Sequence, residues 1–444
     1  MVEKTNPRAA ALTALLLVEK GTFISTALDQ VLQEYMLSSL DAALATEILY
    51  GTVRMQKAID HLLNQVSDRR LTELDPRVRQ ILRIGAYQLL YLDRIPASAA
   101  VNESVKLTPP GKNRRGVAGF INAVLRNLIR KRHQLTFPEL EKDPVAHIAT
   151  KYSHPEWMVS RWIKRYGIDH TIKLCQINNT TPKLQVRVNT LKTDRKQLQE
   201  HFTTQGITSI PGQYAPDVLT LAQGLNFNVD PLFQNGYYYV QNESSALVAH
   251  AVAPKPGDVV YDLCAAPGGK ATHIAQLMKN QGKVVAIDRT AEKVALIKEN
   301  AQRLGTTIVE AFVEDAQSVT LPLADKVLID VPCSGLGVLR HKPDARWHKR
   351  EQDITVLTKT QKQILLNAAR LVKPGGILVY STCTTEPEEN QEMISWFLQQ
   401  RPEFRLSSLP SWFPGSSQEG MATILPFLHE IDGFFICKME NCHH

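Results

Sequence analysis

The stretch Val259-Val260-Tyr261-Asp262-Leu263-Cys264-Ala265-Ala266-Pro267-Gly268-Gly269-Lys270 decides how this chain is read. A short apolar run followed by a turn rich in glycine and proline predicts a buried strand over Val259–Leu263. A helix is expected to start just after the glycine pair. Glycines let the backbone approach a ligand closely, and a helix N-terminus offers free N–H groups. The spacing is not the Gly-x-Gly-x-x-Gly of a dinucleotide fold, and no Gly-Lys-Ser/Thr phosphate grip is present. Outward from this turn, strands and helices alternate in the doubly wound manner. Further strands are predicted at Val284–Asp288, Ile308–Val313, Lys326–Asp330 and Ile377–Tyr380, with helices over Ala291–Leu304 and around Leu357–Val372. Gly433 to Lys438 is expected to close the sheet as an edge strand.

Acidic residues fall at the ends of these strands. Asp288 ends the second, about 20 residues past the glycines, where a carboxylate meets ribose hydroxyls in doubly wound folds. Glu314-Asp315 follows the third and can receive an adenine amino group. Each feature alone is a common cap or turn. In this register they point to S-adenosylmethionine (SAM), whose positive sulfonium suits acidic neighbours.

Two cysteines follow strands four and five, at the edge where such sheets bind ligands. Cys333 lies in Asp330-Val331-Pro332-Cys333-Ser334-Gly335, and Cys383 in Tyr380-Ser381-Thr382-Cys383-Thr384. Carbon 5 of cytosine is a poor nucleophile until a thiolate adds to carbon 6, whereas methylating a ring nitrogen or an oxygen needs no thiol. A free thiol is only about 3% ionised at pH 7, so it must be activated by its surroundings. One cysteine can attack carbon 6, and the other can assist proton removal or product release. Spacing alone does not say which is which. Asp330 is placed to hold the cytosine amino edge and ring nitrogen. Pro332, Gly335 and Gly337 make the Cys333 segment a loop, whereas Cys175, Cys264 and Cys437 read as core.

At 444 residues the chain exceeds one ordinary core, and two to three domains are expected. Its 43% hydrophobic and 21% charged content is that of a globular protein, and its +7 charge favours a polyanionic partner. The six cysteines include no Cys-x-x-Cys pair and no zinc-ligand spacing, so free thiols in a reducing compartment and no metal centre are expected. Cys442 beside His443-His444 reads as a solvated tail. Lys4 and Arg8 before the apolar run Ala9–Val18 superficially resemble a signal peptide. Asn6-Pro7 and Glu19-Lys20-Gly21 instead cap it as an amphipathic helix. No apolar stretch is long enough to span a bilayer, and a cytoplasmic protein without membrane contact is expected.

Residues 1–133 show helical periodicity in Ala43–Leu63, Val78–Leu92 and Phe120–Leu128, which predicts an all-helical bundle. Residues 134–150 read as a linker, 151–250 as a small α/β subdomain and 251–444 as the catalytic domain. Tyr237-Tyr238-Tyr239 in a predicted strand is left without a role. The end of the bundle is one-signed: Lys106, Lys112, Arg114, Arg115, Arg126, Arg130, Lys131 and Arg132 with no acid among them. A second basic stretch runs from Arg340 to Arg350 around Trp347. Lys112, Arg114, Arg115, Arg126, Arg130, Arg340, Arg346 and Trp347 are expected to meet RNA backbone and a stacked base.

With these residues in view, the chain resembles the bacterial ribosomal small-subunit RNA methyltransferase B group, also called Fmu or Sun, of the RNA cytosine-C5 methyltransferases. The resemblance rests on Asp262 to Lys270, Asp330 to Gly335 and Ser381-Thr382-Cys383, with Arg187-Val188-Asn189-Thr190 and Gln241-Asn242-Glu243-Ser244-Ser245. It implies a NusB-like RNA-binding bundle, a small α/β subdomain and a Rossmann-like SAM domain. It implies Cys383 as nucleophile and Cys333 in product release. DNA cytosine methyltransferases use the Pro-Cys loop cysteine instead, so the reverse order stands as an alternative. It further implies that Cys264, Ala265, Ala266, Pro267, Gly268, Gly269 and Lys270, with Asp288, Asp315 and Asp330, form the SAM pocket, and that Lys270 reaches the reacting centre. The implied substrate is small-subunit ribosomal RNA, naked or partly assembled, at a cytosine of the 967 type. A monomer is expected. Transfer RNA as substrate, a non-catalytic RNA-binding assembly factor and, more remotely, a dithiol redox protein are the rivals.

Overall fold

In a computed structural model of the chain, residues 5–227, 229–415 and 420–442 are described. Lys4 and the His443-His444 tail lie outside them. Contacts divide the chain into two units, residues 1–180 with 339–348, and residues 181–338 with 349–444. Among the described residues, no helix is long and apolar enough to cross a membrane.

The first unit is helical. Its opening helix, Pro7–Glu19, is capped by the Asn6 side chain on the N–H groups of Arg8 and Ala9, with proline at its first position. The helix Arg114–Arg130 buries one apolar face, Ser39–Arg54 is buried along its second half, and Pro76–Tyr91 is buried on all sides from Gln80 to Gln88. Leu12, Ile48, Ile81, Leu82 and Leu125 form the core between them. The stretch expected to be a linker, 134–150, contains most of a helix, Pro144–Lys151, which Asp143 caps and Pro144 starts. A helix runs on through Glu156–Asn178, broken at Gly167 where φ is +77°, so this part of the expected α/β subdomain packs with the helical unit.

The second unit opens with a four-stranded antiparallel sheet: β1 (Leu184–Val188), β2 (Ser209–Pro211), β3 (Val218–Leu221) and β4 (Tyr238–Val240), in the order β2-β3-β1-β4. The larger sheet contains β5 (Val259–Asp262), β6 (Lys283–Asp288), β7 (Val309–Val313), β8 (Ala324–Asp330) and β9 (Val372–Thr382). These five are parallel in the order β9-β8-β5-β6-β7. Three antiparallel strands complete it: β10 (Phe404–Leu406), β11 (Met421–Ile424) and β12 (Phe434–Asn441). The last is not the edge strand expected from sequence. It pairs with β9 on one side and with β10 and β11 on the other, which suits its almost wholly buried run of apolar residues.

Candidate active site

The register of two neighbouring strands brings the cysteines together. β8 and β9 run parallel with Asp330 opposite Ser381, and Ser381 Oγ donates to Asp330 Oδ1 at 2.7 Å. Cys333 lies three residues beyond Asp330 and Cys383 two beyond Ser381, so both loops leave the same edge of the sheet. Their sulfurs are 3.3 Å apart. Gly337 holds the loops in place. Its N–H donates to Cys383 O at 3.0 Å, and Gly433 N–H donates to Gly337 O at 2.9 Å. A side chain at Gly337 would sit 2.2 Å from Gly433 O, so only glycine fits this approach.

Lys270, in the first turn of the helix Gly269–Leu277, reaches across to Asp330, with Nζ 2.7 Å from Oδ2. Burial opposes the Lys270 charge. Asp330, and then Asp262 and Cys383, more than offset it, so the ammonium is held firmly protonated. The Cys333 thiol is pushed well above its ordinary pKa, first by its hydrogen bond to Cys383 and then by burial. Asp262, at the end of β5 and fully buried, is raised to about 7 by burial and by repulsion from Asp330 and Asp288, against the pull of Lys270. Three carboxylates therefore crowd the ends of β5, β6 and β8 around one buried lysine.

The turn 264–270 has the conformation its sequence calls for. The Ala266–Pro267 peptide is cis, and Gly268 has φ +100°. Asp288 Oδ2 accepts from Ala266 N–H at 3.1 Å, while its other oxygen takes Arg289 N–H and the Lys293 ammonium. Asp315 caps its own turn, accepting from Gln317 N–H at 2.9 Å. Burial raises the Cys264 thiol far above reactivity, although the residue keeps partial exposure and is not the core cysteine expected from sequence, as Cys175 and Cys437 are.

What sequence reasoning missed is how the small sheet grips this turn. Arg187 on β1 is fully buried, and its guanidinium donates to Gly269 O, to Thr272 Oγ1 and to Gln241 Oε1. Tyr239 on β4, left without a role in the sequence, stacks 5.2 Å from that guanidinium. Asn189 ties the same subdomain to Leu304 O at the end of the helix Ala291–Leu304. Asp217, His250 and His273 also meet, from three distant positions, with Asp217 accepting from both imidazoles. Burial, with Arg187 nearby, lowers His273 to about 4 despite its Asp217 partner, so this ring stays neutral in the folded chain.

That neutrality has a measurable consequence. A histidine whose folded pKa lies below its unfolded value of about 6.5 leaves stability untouched above that pH. Stability is then lost as pH falls toward 4, because the unfolded chain takes up the proton first. Urea midpoints are expected to drop by roughly 3 kcal/mol of stability over that window. His273→Gln should flatten this part of the profile. An equal slope in both proteins would reject the assignment.

The expected RNA contacts divide. Lys112, Arg114, Arg115, Arg126 and Arg130 are exposed on or just before the helix Arg114–Arg130, with Arg126 and Arg130 held by Asn122 and Asn127. The second basic stretch is corrected by the structure. Residues 339–348 belong to the helical unit. Arg346 is wholly buried there, its guanidinium spent on Ser153 O, Asn178 O and Asn179 Oδ1. Trp347 packs on the helical core and donates its indole N–H to Val53 O at 2.8 Å. Asp344 caps Ile24 N–H at 3.0 Å. Arg340 is half-buried. Two members of this basic run are structural pins, and sequence gives no sign of the carbonyls that receive them.

Comparison with known proteins fits this geometry. Residues 249–440 match the family described as 16S rRNA methyltransferase RsmB/F, residues 5–130 the NusB family, and residues 154–228 the ferredoxin-like domain of RsmF/B-like methyltransferases. The probable ribosomal RNA small subunit methyltransferase B of Bacillus subtilis is 41% identical over 99% of this chain and all of its own length. The ribosomal RNA small subunit methyltransferase B of Vibrio cholerae is 33% identical over 99% of this chain and 98% of its own. The crystal structure of PH0851 matches with a TM-score of 0.82 at 30% identity, covering 98% of each chain. A methyltransferase homolog protein from Pyrococcus horikoshii matches at 0.60 and 28% identity, over 67% of this chain and 99% of that one. The helical domain is thus NusB-like, the small sheet belongs to a ferredoxin-like subdomain, and the larger sheet is that of a methyltransferase domain. Full-length identity above 40% to one member, with all three domains matched in order, places the chain in the ribosomal RNA small subunit methyltransferase B family.

Proposed function

We propose that the protein methylates carbon 5 of a cytosine in small-subunit ribosomal RNA, using SAM and a covalent cysteine adduct. The observation that carries this reading is the pair of sulfurs 3.3 Å apart at the ends of adjacent parallel strands, beside the Lys270–Asp330 ion pair. In this reading Cys383 adds to carbon 6, and the electrons of the 5,6 double bond move to carbon 5. The bound cofactor supplies an electrophilic methyl group. Cys333, as its thiolate, then accepts the carbon 5 proton; the C–H electron pair restores the 5,6 double bond, and the Cys383–carbon 6 bond breaks with its electron pair returning to the Cys383 sulfur. The upward shift of Cys333, from its hydrogen bond to Cys383 and from burial, makes its sulfur a strong proton acceptor once ionised, which suits that role. Asp330 holds the base edge, oriented by Ser381 and Lys270.

The residues present suit a sulfonium ligand. Asp262, Asp288 and Asp330 concentrate negative charge at the strand ends, and Asp262 is raised to about 7 partly by that repulsion, which a cation would relieve. The turn 264–270 with Asp288, Asp315 and Asp330 is the proposed pocket. Exposed Lys112, Arg114, Arg115, Arg126 and Arg130 on the NusB-like domain are the proposed RNA-backbone contacts. A cytoplasmic site of action follows from that substrate.

Incubation with methyl-labelled SAM and either small-subunit ribosomal RNA, partly assembled particles or transfer RNA tests this reading, with the label mapped by bisulfite sequencing. A single 5-methylcytosine in the ribosomal RNA, of the 967 type, is expected. Label confined to transfer RNA, or on a ring nitrogen, would reject it.

A further inference from the structure

A second buried carboxylate stands behind the cysteines and takes no part in the chemistry above. Glu389, in the single 3-10 turn Pro387–Glu389 that follows the Cys383 loop, is fully buried. Its carboxylate accepts from the Ser334 N–H at 2.9 Å, from Ser334 Oγ and from Gln361 Nε2 at 2.9 Å. Ser334 is the residue after Cys333. Its hydroxyl lies 2.7 Å from Thr384 Oγ1, and Thr384 is the residue after Cys383. Gln361, on the helix Glu351–Ala369, also donates to Pro332 O at 3.0 Å, just before Cys333. One carboxylate therefore joins both cysteine loops and the helix beneath them. Tyr380 on β9 locks the turn from the other side, donating to the Glu389 carbonyl at 2.6 Å.

We infer that Glu389 is a positioning residue for the thiol pair: its carboxylate joins the two cysteine loops, fixes Cys333 against Cys383, and sets a negative charge beside Cys333. Its part in methyl transfer rests on the function proposed above, but its effect on Cys333 does not. Four groups face Cys333 from the elements around it. They are Cys383 from the loop after β9, Glu389 from the 3-10 turn, Asp330 from β8 and Tyr380 from β9. All four are anionic when ionised, and the nearby cation, Lys270, is paired with Asp330. Burial raises the Glu389 pKa against its hydrogen bonds from Ser334 and Gln361, yet it is ionised in the alkaline range where a thiol titrates.

Alkylation measures this without RNA or cofactor. In a Cys383→Ser protein, the rate of iodoacetamide modification of Cys333, read by peptide mass spectrometry, is followed against pH. Glu389→Gln removes the charge at nearly constant shape. It is expected to move the Cys333 midpoint down by about one pH unit, which is about tenfold more thiolate below the midpoint. Glu389→Asp keeps the charge and shortens the reach. Its midpoint is expected to stay with that of the parent, while methyl transfer in the Cys383-containing enzyme falls at least tenfold through kcat with the KM for SAM unchanged. A Glu389→Gln protein with an unaltered melting temperature and an unmoved Cys333 profile overturns the inference. So does a Glu389→Asp midpoint that falls as far as that of Glu389→Gln, which also decides the matter if the glutamine variant does not fold. If the thiols prove not to be catalytic, Cys383→Ser will still methylate, an outcome separate from either alkylation result.

Discussion

Cys333→Ala, incubated with SAM and small-subunit ribosomal RNA, is expected to accumulate a protein–RNA adduct that survives denaturation. Cys383→Ala is expected to form none and to lose methyl transfer altogether. The difference follows from which bond each sulfur controls. Without Cys383 no bond to carbon 6 forms, carbon 5 stays a weak nucleophile, and the rate should fall by three orders of magnitude or more, about 4 kcal/mol in barrier. Without Cys333 the first bond and the methyl transfer proceed, but the step that frees the enzyme is slowed, so the covalent species builds up. The structure makes both substitutions small perturbations. The sulfurs touch each other, while the loops that carry them are held by main-chain bonds through Gly337 and by Ser334, Thr384 and Glu389. Denaturing gel electrophoresis with labelled RNA reads the adduct, and scintillation counting reads the methyl group. An adduct confined to Cys383→Ala would reverse the two roles. Normal methylation by both variants would remove the thiols from the mechanism.

The cysteine pair was legible because strand periodicity, glycine turns and a polar residue at each strand end are local signals. Once β8 and β9 were expected to leave the sheet on one edge, Cys333 and Cys383 had to lie near each other. Helix boundaries such as Ala291–Leu304 were likewise announced by their own cap and glycine stop. Long-range pairing was not legible. Asp217 meets His273 across 56 positions, and Arg187 meets Gly269 across 82. Nothing near either residue in sequence distinguishes a buried partner from an exposed one. Arg346 misled for the same reason, since a guanidinium looks identical in sequence whether it faces phosphate or four carbonyl-type oxygens inside a helical unit. The closing strand β12 was placed at an edge because its partners, β10 and β11, are short and weakly patterned.

Arg187→Ala is expected to be the most destabilising single change outside the apolar core, and to weaken SAM binding at a distance. The guanidinium is fully buried and serves the Gly269 carbonyl, Thr272 Oγ1 and Gln241 Oε1, with Tyr239 stacked beside it. Removing it leaves a buried carbonyl and an amide oxygen without their donors, at about 1–3 kcal/mol each, and opens a void against Tyr239. A loss of about 3–5 kcal/mol in urea unfolding is therefore expected. Arg187→Lys should rescue little, because a single ammonium cannot reproduce a planar fork that reaches three acceptors. Gly269 is the second glycine of the turn that the proposed pocket is built on, and its carbonyl is held by this bond. Releasing it lets the turn relax, so calorimetric titration with SAM should show at least tenfold weaker binding in whatever fraction remains folded. Unchanged stability, or full affinity for SAM in a folded Arg187→Ala protein, would mean that the ferredoxin-like subdomain merely neighbours the cofactor turn. The expected result would mean that the subdomain is part of what shapes it, which is a physical reason for β1 and the glycine turn to travel together in one chain.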